Sequence, residues 1–107
     1  MPGMISKQPN GLYCRISTVV EAPTRWDMTK EGLRELLVLH GSLDSPDQTI
    51  EDWLSKWEVT FEEAIKQIGN LNLTHEEIRK WLVSVGYSKV NEFMKNNARI
   101  VEEESYE

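Results

Sequence analysis

Cys14 stands directly before Arg15, and a guanidinium beside a thiol favours the nucleophilic thiolate. With His40 as a base, that pair would make a thiol enzyme, so a Cys14–His40 dyad is one reading of the chain. It is a thin one. The chain holds one Cys and two His, and neither His40 nor His75 falls at metal-ligand spacing with Cys or an acidic residue. There is no Gly-rich phosphate loop, no nucleophile elbow and no His-x-x-x-His helix, so neither metal nor cofactor is expected and a non-enzymatic protein is favoured.

Charge supplies a second chemistry. Between Arg79 and Arg99 lie Arg79, Lys80, Lys89, Lys95 and Arg99 against the single acid Glu92, a local net of +4 within a chain of net -6. Lys89, Lys95 and Arg99 could meet phosphates, with Asn91 and Asn96 reading base edges. The pattern around Gly86-Tyr87-Ser88 resembles a helix-turn-helix, with Ser88 capping the second helix. Two positions depart from it: Leu82 stands where a small residue belongs, and Glu92 where an aliphatic one does. A charged Glu92 between the helices would be costly to desolvate.

Aromatic residues supply the third. Trp53, Trp57 and Trp81 fall on apolar helical stripes, which reads as core. Trp26 does not. Arg25-Trp26-Asp27 lies in a polar link where no periodicity demands burial, and tryptophan is enriched at binding hot spots. Tyr13, Arg25 and Trp26, with the acidic pair Glu62 and Glu63, are therefore the expected partner-binding residues. The aromatics would supply contact area, and the carboxylates would steer a protein with a basic surface. An acidic, Trp-rich domain also allows a homodimer, and the sequence does not separate a dimer patch from a partner patch.

These residues must be positioned by a small fold. A chain of 107 residues supports one core, and 39% hydrophobic with 28% charged residues is a folding composition. We expect one domain over residues 1–100 and an acidic flexible tail over 101–107. No window reaches the roughly 18 apolar residues a membrane span needs, and Met1-Pro2-Gly3-Met4 lacks a signal-peptide core, so the expected compartment is the cytoplasm. A lone Cys excludes an internal disulfide.

The expected fold class is α+β, mainly α: a short N-terminal β element over 5–22, then four to five short helices over 28–98. Leu12 to Val20 is rich in β-branched and aromatic residues and reads as a strand, paired with the segment before the Pro9-Asn10-Gly11 turn. Ala22-Pro23-Thr24 should break it. A first helix opens near Thr29, carries Leu33, Leu36 and Leu37, and stops at Gly41. The second should be capped by Ser45, with Pro46 in its first position and Gln48 closing a capping box. The third starts at Thr60 and runs toward Gly69. The fourth starts at Thr74 with Glu77 closing a box, and the last follows Ser88. Eight acids, Glu31, Asp47, Glu51, Asp52, Glu62, Glu63, Glu76 and Glu77, then fall in first helical turns, where they complement the helix dipole.

Gln8-Pro9-Asn10-Gly11-Leu12-Tyr13-Cys14-Arg15-Ile16-Ser17-Thr18-Val19-Val20, followed by Pro23-Thr24 and Met28-Thr29, resembles the opening of small phage, prophage and mobile-element proteins of Firmicutes. The resemblance spans residues 7–29. It implies a mobile-element accessory protein that binds and inhibits or redirects a host protein, such as a defence or nucleic-acid-processing factor, and it assigns no site residue. The alternative function is a small helix-turn-helix-like DNA-binding regulator using residues 79–99.

Overall fold

Pro9-Asn10-Gly11 makes the first turn, as its residues require. Gly11 takes φ +92, open to glycine and strained for other residues. The Gln8 backbone N–H donates to Leu12 O at 2.7 Å, closing a hairpin between β1 (Gly3–Lys7) and β2 (Tyr13–Ser17). A second antiparallel strand, β3 (Ala22–Met28), pairs with the other side of β2, giving the order β1-β2-β3. Among the described residues five helices follow: α1 (Lys30–Leu39), α2 (Ile50–Trp57), α3 (Phe61–Ile65), α4 (His75–Ser84) and α5 (Val90–Asn96). This computed structural model describes residues 3–100, so the tail expected at 101–107 lies outside the described residues.

The expectation of a mainly α fold with a short β element is corrected. The sheet has three strands and extends to Met28, and among the described residues helix accounts for 41% against 18% strand, an α+β fold that is not mainly α. Pro23 does not end the β structure because β3 is an edge strand, where a missing N–H faces away from the ladder. The β2–β3 register slips twice, between Tyr13 and Arg15 and between Arg15 and Ile16, so the edge is bulged. Bulging hides the period-2 signal that would have marked β3 in the sequence.

The sheet is the middle layer. Cross-strand partners share a face, so Met4 with Ile16 and Ser6 with Cys14 point one way, while Ile5 with Arg15 and Lys7 with Tyr13 point the other. On the first face Cys14 and Ile16 pack with Phe61, Ile65, Ile78, Leu82, Val85 and Met94 from α3, α4 and α5 and their links. On the second, Ile5, Tyr13 and Met28 pack with Leu33, Leu36 and Leu37 of α1 and Ile50, Trp53 and Leu54 of α2. β2 is covered on both sides, which is why its sequence lacks a clean apolar-polar alternation.

Threonine caps explain four helix starts. The side chains of Thr29, Thr49, Thr60 and Thr74 accept from the backbone N–H of Gly32, Asp52, Glu63 and Glu77, and at Thr74 the Glu77 carboxylate completes the capping box. The second helix therefore begins four residues later than Ser45-Pro46 suggests. Gln48 is not a capping-box residue but a buried hub: its Oε1 accepts from Asp44 N at 2.7 Å and its Nε2 donates to Asp52 Oδ2 at 2.9 Å. Asp47 accordingly falls outside any first helical turn. The last helix is capped at Lys89 without a side-chain bond, so Ser88 does not fill the role expected of it. α3 stops at Ile65, short of Gly69, whose N–H donates to Glu21 O at 3.0 Å.

Candidate functional site

Trp26 is held by a polar knot at the end of β3. The Gln8 side chain, 2% exposed, donates through Nε2 to Asp27 Oδ1 at 2.8 Å and accepts from the Asp27 backbone N–H at 2.7 Å. This supports Asp27 at φ +57, a left-handed conformation that a non-glycine residue adopts at a cost. The neighbouring Trp26 ring is 46% exposed and meets Trp81 of α4 edge-on, with centroids 6.2 Å apart and planes at 79°.

Trp81 continues a file of rings. It stacks on Phe61 at 6.0 Å, Phe61 meets Tyr87 at 5.4 Å, and Tyr87 meets Phe93 of α5 at 6.3 Å. Five aromatic residues thus run from the sheet edge across α4 and α3 to α5. At the sheet end a groove of about 370 Å³ opens between Pro23, Trp26, Leu73, Lys80 and Trp81. Trp81 Nε1 is buried there without a hydrogen-bond partner, an indole donor left unsatisfied. At the other end, burial first and the nearby Glu62 and Glu92 carboxylates second push the Tyr87 phenol above its usual range, so this hydroxyl stays protonated at physiological pH.

The sequence-predicted binding residues divide. Trp26 and Arg25 are exposed on β3, and Glu62 and Glu63 are exposed in the first turn of α3. The structure links the two groups, because Glu62 and Glu63 follow Phe61, which stacks on the same Trp81 that Trp26 touches. Tyr13 is corrected: only 5% exposed, it belongs to the core under α1 and α2 and offers a partner no contact area. Trp57, assigned by its spacing to the core, is 59% exposed, because α2 ends there and its buried stripe is Ile50, Trp53 and Leu54.

The thiol-enzyme reading is also corrected. Cys14 is fully buried, and desolvation, with the Asp27 carboxylate adding to it, pushes its thiol up to about 12. Arg15 does not activate it, since adjacent strand residues point to opposite faces. The same alternation separates the proposed dyad: Cys14 packs under α3–α5, whereas His40 caps α1 and lines a cleft with Ile5 and Arg15 on the opposite face.

The residues considered for nucleic acid do not form a uniform basic surface. Arg99 Nη1 is tied to Glu21 Oε2 at 2.9 Å, and the Asn91 side-chain oxygen accepts from Arg79. Lys89, Lys95 and Asn96 are exposed, yet Glu62 and Glu92 line the same concavity as Lys89, Asn96 and Arg99. Glu92 is itself exposed, so it does not sit between α4 and α5 and carries no desolvation cost. Among the described residues no three His, Cys, Asp or Glu side chains gather as a metal site, and no helix is long and apolar enough to cross a membrane.

Sequence reasoning missed Trp81 as a site residue, since a tryptophan on an apolar stripe reads as core whether or not an edge strand leaves its rim accessible. It also missed Gln8, which no periodicity singles out. Comparison with protein families, characterised proteins and solved structures finds no match to this chain.

Proposed function

We propose that this chain is a non-enzymatic binding domain that captures a partner protein on the surface running from Trp26 to Glu62 and Glu63. The observation that carries this reading is Trp26 itself, a large ring left 46% exposed while its position is fixed by Trp81 and the Gln8–Asp27 knot. A pre-positioned aromatic loses little conformational freedom on binding, which is what makes such residues hot spots. Arg25, paired with Arg15, turns to the other face of the sheet, so the charge on this surface comes from the acidic start of α3, two ring contacts from Trp26, and the carboxylates favour a partner with a basic surface. Binding by occlusion or sequestration needs no chemistry from the chain. The resemblance of residues 7–29 to mobile-element proteins supports a host protein as that partner.

The test is affinity capture from bacterial lysate, split into nuclease-treated and untreated halves, with the tagged chain, Trp26→Ala, and the pair Glu62→Lys, Glu63→Lys. A protein held stoichiometrically by the wild type, and lost with Trp26→Ala, is the expected result. Equal capture by all three folded forms would refute the reading. Recovery of duplex DNA, abolished by nuclease and weakened by Lys89→Ala with Lys95→Ala, would replace it with the DNA-binding regulator. The interleaved Glu62 and Glu92 and the Arg99–Glu21 pair favour the protein partner.

A further inference from the structure

The face of the sheet turned away from α3–α5 carries a second concavity, independent of the surface proposed above. It encloses about 650 Å³ between Gly3 and Arg15 of the sheet, His40 and Asp44 of the α1–α2 link, and Trp53 and Trp57 of α2. That volume lies within the range of small-molecule clefts.

Arg15 is its uncompensated charge. The guanidinium lies against Gly3, where an added Cβ would stand 2.8 Å from Cζ, so the glycine makes room for it. Nη1 donates to Thr24 Oγ1 at 2.8 Å, but Nε is buried with no partner. Among the described residues no carboxylate pairs with Arg15. The nearby acid, Asp44, is instead engaged by Lys56 Nζ at 3.5 Å. Nε, packed against Gly3, is out of a ligand's reach, but a guanidinium offers five N–H donors in a planar fork, and the terminal Nη donors not used by Thr24 are the ones an anion entering the cleft would engage.

Two tryptophans share the lining with Arg15. Trp53 is 3% exposed with its Nε1 donating to Ser42 O at 3.2 Å, so it backs the cleft, and Trp57, 59% exposed, supplies the accessible ring. A cation without a carboxylate partner and an exposed indole in one lining match a flat ligand bearing a negative group. Asp44 in the same lining disfavours a doubly charged phosphate and favours a single negative charge.

We propose that this cleft binds a small aromatic carboxylate, its oxygens accepting from Arg15 and its ring lying against Trp57. The probes are 2-naphthoate and the uncharged 2-naphthamide, titrated into the nitrogen-labelled full chain and followed by proton–nitrogen correlation NMR. The naphthoate should shift the Arg15 Nε–H and the Trp53 and Trp57 indole signals, and bind at least about tenfold more tightly than the amide, the size of one charge-assisted hydrogen bond. Arg15→Gln should remove that tenfold preference and leave the amide unaffected. Trp57→Ala, at an exposed site that tolerates truncation, should weaken both probes. Equal affinity for the two probes, shifts centred on Trp26 and Trp81, unchanged binding in either variant, or no shift up to the probes' solubility would each overturn the proposal.

Discussion

Cys14 should be inert toward a thiol reagent until the sheet opens, and its ionisation should set an alkaline limit on stability. The side chain is fully buried, and desolvation, then the Asp27 carboxylate, move its pKa from 9.0 to about 12. A three-unit rise lowers the thiolate fraction near neutral pH by about 10³-fold relative to an unfolded thiol, before any steric exclusion. Labelling by a chromogenic disulfide reagent should therefore follow the opening equilibrium, and urea should accelerate it in step with unfolding. The pH dependence has a defined sign. Between 9.0 and about 12 the unfolded chain has released the proton and the folded chain has kept it. Stability from this group is thus complete below the lower value and falls with rising pH, by roughly 1 kcal/mol per unit, until the upper value is reached. Urea midpoints of wild type and Cys14→Ala at two alkaline pH values, one near 9 and one a unit higher, isolate the effect from other titrating groups. The wild type should lose about 1 kcal/mol more than the variant over that interval. Labelling of the native chain at the unfolded rate, or identical pH slopes for the two proteins, would refute a buried neutral thiol.

Further outcomes follow from the caps, the polar knot and the exposed rings. Thr49→Ala should cost about 1 kcal/mol in urea unfolding, whereas Ser45→Ala should change stability by less than about 0.5 kcal/mol, because Thr49 is the residue that caps α2. Gln8→Ala should cost about 2 kcal/mol, since it leaves the Asp27 backbone N–H without its acceptor, and Trp26 fluorescence should shift to the red as the end of β3 loosens. Trp26→Ala should cost about 1–2 kcal/mol through its half-burial and the edge contact with Trp81, more than Trp57→Ala, and thermal unfolding of the two variants compares them directly.

Local signals in the sequence were specific wherever one side chain could satisfy its own neighbourhood. Thr29, Thr60 and Thr74 mark helix starts because a hydroxyl three residues before a free N–H is a self-contained arrangement, and Leu33, Leu36 and Leu37 mark a buried face by spacing alone. Ser45-Pro46-x-Gln48 carries the same pattern and misleads, because the buried hub at Gln48 draws on Asp44 and Asp52 and displaces the start to Thr49.

What the sequence determined by itself is the first hairpin, the order of the helices, most of the helical stripes and the candidacy of Trp26, Glu62 and Glu63. What only the tertiary structure decided is which side of the sheet each residue meets. β3 shows no alternation because it is a bulged edge strand, and β2 shows none because helices cover both its faces. The layering buries Tyr13 and silences Cys14. It also parts Cys14 from His40, joins Trp26 to Glu62 through Trp81 and Phe61, and leaves Arg15 facing an aromatic cleft. Each of these depends on contacts between residues distant in the chain, and such contacts are set by packing of whole layers, which no local window of sequence contains.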